Sequence, residues 1–221
     1  MARRGRLILV TGGARSGKST YAERMAARLA AERASSDFTW RGVVYVATSE
    51  ANDAEMTARV AAHRAARPAD WRTVECPLAV ADAVRGNAET GAAAVFLLDC
   101  VTFWVSNLIF ASGDLGGTDP GDDFNYDKSL LTHAQEESAA QRVAAGVGEL
   151  LVALDETGAT LVAVTNEVGL GVVPEYPLAR LYRDQLGWTN QRLATAADQV
   201  LLLVAGLALD LTALAADHQS L

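Results

Sequence analysis

The chain has 221 residues, of which 50% are hydrophobic and 21% are charged, a composition typical of a globular protein with a buried core and not of a disordered chain. This length fits a single α/β domain spanning residues 1–221. The formal net charge of −8 lacks the basic excess of nucleic-acid-binding proteins, so we expect no nucleic-acid partner.

Five short apolar runs predict buried strands. Each run is nearly continuous, as in parallel strands that are covered on both faces. The runs are Leu7–Thr11, Val43–Ala47, Ala94–Asp99, Thr160–Thr165 and Val200–Val204. Alanine-rich stretches with helical spacing lie between them. The alternation predicts an α/β fold with a mostly parallel sheet, right-handed crossovers and helices on both faces.

The first predicted strand leads into Gly12-x4-Gly17-Lys18-Ser19, and an amphipathic helical pattern follows. A strand, a glycine-rich loop and a helix form the context that a P-loop requires. Glycines let backbone N–H groups turn toward one anion, and the start of the helix adds partial positive charge. We therefore predict a site for ATP or GTP with Mg²⁺, in which Lys18 reaches the phosphates and Ser19 ligates the metal. The predicted phosphate-binding residues are Gly12, Gly13, Ala14, Arg15, Ser16, Gly17, Lys18 and Ser19.

A second acidic group is needed near the metal of such a site. Asp99 ends an apolar run, at the edge of the sheet where the phosphate loop also lies. It is the candidate metal ligand, directly or through a water. Capping of the next helix is the alternative interpretation, and one residue can serve both purposes.

His63 lies in an arginine-rich segment and has two interpretations. It shares a helical stripe with Met56 and Val60, which is typical of a partly buried core histidine. Arginines also surround it, and guanidinium groups suit bidentate phosphate contacts while a neutral imidazole can attack phosphorus. The second interpretation is a nucleotide-transfer step that follows nucleotide binding. The arginines are Arg59, Arg64 and Arg67.

Two further segments are singled out by their composition. Asn166 and Glu167 follow the fourth predicted strand, so we expect them in the same crevice as the phosphate loop, with Gly169 and Gly171 beyond them. Residues 112–127 carry five Asp and five Gly or Pro, which predicts an exposed acidic loop, with a metal-binding loop as the alternative.

Sequence features also bear on cellular location. Cys76 and Cys100 have no paired spacing, which argues against a disulfide framework or a zinc site and favours a reducing compartment. The amino end is basic, but the apolar run Leu7–Thr11 is too short for a signal peptide. No apolar run reaches about 18 residues, so we predict no membrane span and a cytoplasmic protein.

Taken in order, these segments resemble the bifunctional adenosylcobinamide kinase/adenosylcobinamide-phosphate guanylyltransferase family of cobalamin biosynthesis. The resemblance covers nearly the whole chain, and the combination is far more specific than the phosphate loop alone. Its segments are Thr11–Ser19; Tyr45–Ser49; Glu55-Met56, Arg59 and His63–Pro68; Trp71–Thr73 with Glu75; Asp99-Cys100, Thr102 and Asn107; and Thr165–Pro174 through Arg180, Arg183-Asp184, Gly187 and Asn190-Gln191.

The resemblance implies a RecA-like P-loop NTPase fold and a homotrimer. It implies phosphorylation of the aminopropanol hydroxyl of adenosylcobinamide, a small-molecule corrinoid. GMP is then transferred from GTP to the new phosphate through a GMP-histidine intermediate, giving adenosylcobinamide-GDP. The matching histidine is His63. The residues implied in guanine-nucleotide binding are Ala47, Thr48, Ser49, Arg64, Ala65, Ala66, Arg67 and Glu75.

The chain departs from the family pattern in two respects. Some relatives carry two adjacent histidines in this helix, whereas Ala62 precedes His63 here. The acidic loop and the tail after Gly206 are also longer than the resemblance leads us to expect, so the resemblance does not settle the trimer contacts or the substrate lid. Two other functions stay open from the sequence: a kinase without the guanylyl stage, in which His63 is structural, and a regulatory nucleotide-binding protein.

Overall fold

Seven strands form a single sheet in the part of the chain that the structure describes. The structure is a computed structural model and describes residues 5–33, 42–49, 67–88, 95–113, 115 and 131–215. The strands are β1 (Arg6–Gly12), β2 (Val43–Ala47), β3 (Arg72–Glu75), β4 (Val95–Asp99), β5 (Thr160–Val164), β6 (Gln199–Val204) and β7 (Leu207–Asp210). Their spatial order is β3-β2-β4-β5-β1-β6-β7, and only β7 is antiparallel to its neighbour.

Helices cover both faces of this sheet. The described helices are α1 (Lys18–Arg33), α2 (Val80–Ala88), α3 (Val101–Phe110), α4 (His133–Thr157), α5 (Pro177–Ala196) and α6 (Leu211–Leu214). One core cluster joins the sheet to α2, α3, α4 and α5, and a second joins the opposite face to α1. Alternate residues of β1 enter the two clusters, with Leu7 and Leu9 in the first and Ile8 and Val10 in the second. A strand buried on both faces has to be apolar throughout, which explains the continuous runs in the sequence.

Local chemistry sets the ends of the longest helix. The Thr132 side chain accepts a hydrogen bond from the backbone N–H of Gln135, whose own side chain accepts from the Thr132 N–H. At the other end Gly158 adopts a left-handed conformation with φ of 62°, which glycine does without steric penalty. The chain therefore leaves α4 directly into the central strand β5.

The predicted α/β class, with a mostly parallel sheet and helices on both faces, is confirmed. All five predicted strands are found with ends that differ by at most one residue. Two strands were missed, and both lie at an edge of the sheet. β3 has two exposed and two half-buried residues, and β7 alternates between exposed and half-buried positions, so neither gives a continuous apolar run.

Two other predictions are only partly covered. Of the acidic loop predicted at 112–127, the structure describes 112, 113 and 115, and Leu115 is buried in the core instead of exposed. Among the described residues, no helix is both long and apolar enough to span a bilayer.

Candidate active site

The phosphate loop leaves β1 through a backbone conformation that requires glycine. Gly12 has φ of 152°, and a Cβ atom there would lie 2.4 Å from the carbonyl oxygen of Leu203. Gly17 has φ of 94°, and Arg15 adopts a left-handed conformation with φ of 55°. Gly13, Ala14 and Arg15 are exposed at the tip. The loop therefore curls tightly against β6 while its tip stays open to a ligand.

Lys18 begins α1 and folds back over the loop. Its Nζ donates a hydrogen bond of 2.8 Å to the carbonyl oxygen of Gly13, and the residue is only 8% exposed. Burial lowers the pKa of Lys18, and the nearby Cys100 and Asp99 oppose that shift. An ammonium group at the start of a helix, beside a glycine-rich loop, forms an anion site.

Two segments that are distant in sequence hold the phosphate loop through backbone hydrogen bonds. The backbone N–H of Glu167 donates to the carbonyl oxygen of Gly12 at 3.2 Å, and that of Gly206 donates to the carbonyl oxygen of Ser16 at 2.9 Å. Gly206 belongs to the β6–β7 turn, where Ala205 and Gly206 have φ of 52° and 82°. The loop is thus fixed by hydrogen bonds at its beginning and in its second half.

Two buried hydroxyls, one near the end of β1 and one in the loop, fit the binding of a polyanion. The Oγ atoms of Thr11 and Ser16 are buried and have no hydrogen-bond partner among the described residues. Buried hydroxyls left unpaired are destabilising, and phosphate oxygens would accept from them. Ser19 is half-buried in the first turn of α1, with a hydroxyl of the type that ligates Mg²⁺ in P-loops.

Asp99 ends β4, and its carboxylate is oriented by a phenol from the neighbouring strand. Tyr45 donates a hydrogen bond of 2.7 Å to Oδ2 of Asp99. Burial raises the pKa of Tyr45, and the Asp99 charge raises it further, so the phenol remains a donor. The N-cap position of α3 is taken by Cys100, which makes no side-chain capping hydrogen bond. The alternative in which Asp99 caps this helix is therefore wrong.

Arg67 packs on the ring of Tyr45, the residue that donates to Asp99. Its guanidinium carbon is 3.2 Å from the centre of the Tyr45 ring, a cation–π contact, and Nη1 donates to Oγ1 of Thr73 at 3.2 Å. Ala47 pairs with Glu75 on one side and Asp99 on the other. Ala47 and Glu75, which are expected to bind the guanine nucleotide, thus lie with Asp99 at the carboxyl ends of three neighbouring strands.

The hydroxyl group of Thr48 hydrogen-bonds to the backbone of Cys100. Its Oγ1 donates to the carbonyl oxygen of Cys100 at 2.7 Å and accepts from the Cys100 N–H at 2.9 Å. The Asn107 side chain donates to the Thr48 carbonyl oxygen at 2.8 Å. Thr48 is fully buried, whereas Ser49 is half-buried and Glu75 is exposed. Thr48 therefore fixes the ends of β2 and β4 together.

The segment after β5 does join the phosphate loop, as expected for Asn166 and Glu167. The Asn166 N–H donates to Oγ1 of Thr102 at 3.2 Å. The Asn190 side chain donates to the Asn166 carbonyl oxygen at 3.0 Å and accepts from the Thr165 hydroxyl at 2.7 Å. Helices α3 and α5 are thereby tied to the same crevice.

Four predicted site residues lie outside the described residues, and they are His63, Arg64, Ala65 and Ala66. Conversely, the contacts that Tyr45 and Gly206 make in the site were not predicted. A phenol in an otherwise aliphatic strand was the available signal for Tyr45, whereas nothing in the sequence links Gly206 to Ser16. Among the described residues, no group of three or more His, Cys, Asp or Glu side chains could hold a metal by itself.

Comparisons with known proteins point to one family. The family described as cobinamide kinase/cobinamide phosphate guanyltransferase matches residues 8–211. The bifunctional adenosylcobalamin biosynthesis protein CobU of Escherichia coli (strain K12) is 40% identical over 201 residues, covering 91% of this chain and 97% of that protein. CobU of Salmonella typhimurium is 40% identical over 206 residues, with 91% and 97% covered. CobP of Pseudomonas aeruginosa is 40% identical over 203 residues, with 92% and 95% covered.

Proposed function

The chain belongs to the cobinamide kinase/cobinamide phosphate guanyltransferase family, and from this premise we propose that it carries out both reactions on adenosylcobinamide. The first is transfer of the γ-phosphoryl group of ATP or GTP to the aminopropanol hydroxyl. The second is transfer of GMP from GTP to that phosphate, giving adenosylcobinamide-GDP. The observation that carries the proposal is Lys18 folded over a glycine-rich loop at the sheet edge where Asp99 also ends its strand.

In the kinase stage the loop and the start of α1 hold the triphosphate. Residues Gly12 to Ser19 supply N–H groups and hydroxyls, and Lys18 exchanges the Gly13 carbonyl oxygen for phosphate oxygens. Ser19 and Asp99 would hold Mg²⁺, which neutralises charge as it develops on the transferred group. The Tyr45 hydrogen bond orients Asp99 for this purpose. The substrate hydroxyl attacks the γ-phosphorus, the bond to the β-phosphate oxygen breaks, and the nucleoside diphosphate leaves.

In the guanylyl stage His63 is the nucleophile. Its neutral imidazole nitrogen attacks the α-phosphorus of GTP, and pyrophosphate leaves. A phosphate oxygen of the phosphorylated corrinoid then attacks the same phosphorus and displaces the imidazole. We assign guanine-nucleotide binding to Ala47, Thr48, Ser49, Arg64, Ala65, Ala66, Arg67 and Glu75. Support for this assignment is the position of Arg67 on the Tyr45 ring, next to Asp99.

The setting of these reactions is also a proposal. We place them in the cytoplasm and in a homotrimer, as the resemblance implies. Either ATP or GTP could donate the phosphoryl group, because the described contacts of the phosphate loop involve no group that reads a base.

The intact mass of the protein after incubation with GTP and Mg²⁺ tests this function. We expect one GMP adduct that resists mild base and is lost in acid, as a phosphoramidate is. His63→Ala should abolish it, while His133→Ala, which changes an exposed histidine at the start of α4, should keep it. Absence of an adduct with GTP still bound favours a kinase without the guanylyl stage. Failure to modify any corrinoid despite tight GTP binding favours a regulatory nucleotide-binding protein.

A further inference from the structure

The segment between β5 and α5 holds aliphatic side chains in water next to the phosphate loop. Leu170 is 92% exposed, Val172 is 94% exposed and Val173 is 64% exposed. We call Leu170–Val173 the apolar loop. Single exposed aliphatic residues are ordinary, but three in four consecutive positions form a patch of the kind that marks a binding surface.

Hydrogen bonds hold the start of the apolar loop to the active site. Glu167 donates its backbone N–H to the carbonyl oxygen of Gly12, at 3.2 Å. The Oε1 atom of the same Glu167 accepts from the N–H of Gly169 at 2.9 Å. The chain therefore enters the apolar loop from a fixed point on the phosphate loop.

Arg180 of α5 holds the other end. Its Nη1 donates to the carbonyl oxygen of Pro174 at 3.0 Å and to that of Glu175 at 2.5 Å. With both ends fixed by polar groups, the aliphatic side chains between them project outward instead of folding onto the core. A surface that is already ordered loses less conformational entropy when a ligand binds.

We propose that the apolar loop is the surface on which the corrin ring of the substrate lies. This proposal rests on the proposed function, which supplies the corrinoid. A corrin ring is broad, and methyl groups project from its faces among amide arms, so an apolar surface suits the part of the ring that carries the methyl groups. The reacting hydroxyl lies on a side arm and must come within about 3.5 Å of the γ-phosphorus. The ring must then lie beside the phosphate loop.

The sheet places the apolar loop in that position. β1 and β5 are parallel neighbours in which Val10 pairs with Val164, so the phosphate loop and the segment after β5 leave the same edge. The substrate arm reaches the phosphate loop while the ring covers Leu170, Val172 and Val173. The apolar loop therefore contributes to corrinoid affinity and not to nucleotide affinity.

A double substitution, Leu170→Ser with Val172→Ser, tests the proposal in the full chain. Corrinoid binding is measured by equilibrium dialysis using its visible absorbance, together with KM for the corrinoid and for the nucleotide and the molar mass by light scattering. We expect the corrinoid Kd and KM to rise at least about tenfold, because apolar contacts are lost. The nucleotide KM, kcat and molar mass should not change.

Two controls sharpen the result. The double variant Leu170→Met with Val172→Ile keeps the surface apolar and should bind the corrinoid as the unmodified protein does. Val152→Ser changes a half-exposed aliphatic residue on α4 and should leave corrinoid binding intact.

Each other outcome overturns the proposal. An unchanged corrinoid Kd in the double variant removes the apolar loop from the substrate site. A fall in molar mass that accompanies weaker corrinoid binding would make this surface an interface between copies of the chain. If the unmodified protein neither binds nor phosphorylates a corrinoid, the proposed function itself fails. If the unmodified protein is active and the double variant binds the corrinoid equally well, only the role of the apolar loop is overturned.

Discussion

The phenol of Tyr45 donates a 2.7 Å hydrogen bond to Asp99 across adjacent strands, while the guanidinium of Arg67 covers the ring of the same tyrosine. One side chain thus contacts both the carboxylate beside the phosphate loop and an arginine from the segment that contains His63. Tyr45 was not predicted as a site residue, because its contact with Asp99 joins residues 54 positions apart.

Replacing Tyr45 by Phe should impair the kinase stage and leave the fold intact. The variant keeps the buried ring but frees the Asp99 carboxylate from its orienting donor. Loss of one hydrogen bond to a charged group should lower kcat for phosphoryl transfer about tenfold. The rate of adduct formation at His63, measured in parallel, reports whether Arg67 keeps its position. Unchanged kinase kinetics would mean that Asp99 needs no orientation by Tyr45.

The same pair predicts a dependence of stability on alkaline pH. The pKa of Tyr45 is raised above its ordinary value of 10.0 in the folded chain by burial and by the Asp99 charge. The unfolded phenol therefore ionises first, so the stabilisation is complete below pH 10.0 and is lost as the pH rises above it. Relative to Tyr45→Phe, the unmodified protein should lose up to about 1.4 kcal/mol for each further pH unit. Denaturant unfolding of both proteins at several pH values measures this difference, and parallel curves would contradict it.

Replacing Lys18 by Ala should suppress the kinase stage by at least about a hundredfold, because a charged group aimed at the phosphates is lost. Arg28→Ala is the matched control, since Arg28 lies on the same helix in an exposed ion pair with Glu32. Phosphoryl transfer to the corrinoid is the measurement. Ordinary kinase activity in the Lys18 variant would contradict the assignment of this loop.

Two adjacent glycines of the loop should respond differently to alanine. At Gly12 a Cβ would lie 2.4 Å from a backbone carbonyl oxygen and φ is 152°, whereas at Gly13 nothing lies within 4 Å. We expect Gly12→Ala to cost about 2 kcal/mol or more, a fall in Tm of roughly 4–8 °C. Gly13→Ala should stay within about 0.5 kcal/mol of the unmodified protein. Thermal unfolding without nucleotide separates the two, and equal Tm values would show that β6 does not confine Gly12.

Thr48 and Thr160 form a second matched pair. Thr48→Val leaves both the N–H and the carbonyl group of Cys100 without the hydroxyl that pairs them, and should cost about 1–3 kcal/mol. The buried hydroxyl of Thr160 has no partner in the described part of the chain, so Thr160→Val should be neutral or stabilising. Denaturant unfolding measures both changes. A harmless Thr48→Val would mean that the ends of β2 and β4 are held by other contacts.

Periodicity in the sequence was sufficient for the central sheet and the phosphate loop, because strands such as β1 and β4 are apolar on both faces and Gly12 to Ser19 has a fixed spacing. It was not sufficient for the edges, since β3 is half exposed and β7 pairs on one side. Contacts such as Gly206 with Ser16 join residues 190 positions apart, and no local pattern encodes them. The role of Thr48 was also hidden, because its hydroxyl serves the backbone of Cys100.

The interior position of β1 in the sheet determines when during synthesis the phosphate loop can take its folded shape. β1 is the first strand synthesised, yet its neighbours are β5 and β6, with Arg6 beside Thr160 and Ile8 beside Gln199. A nascent chain that stops before β6 carries every residue of the phosphate loop but lacks the strand and the turn against which the loop is shaped. Pairings of such high contact order form slowly, because a long loop must close first. Nucleotide binding therefore requires that β6 and the β6–β7 turn have been made, which happens after β2, β3 and β4 have all been synthesised.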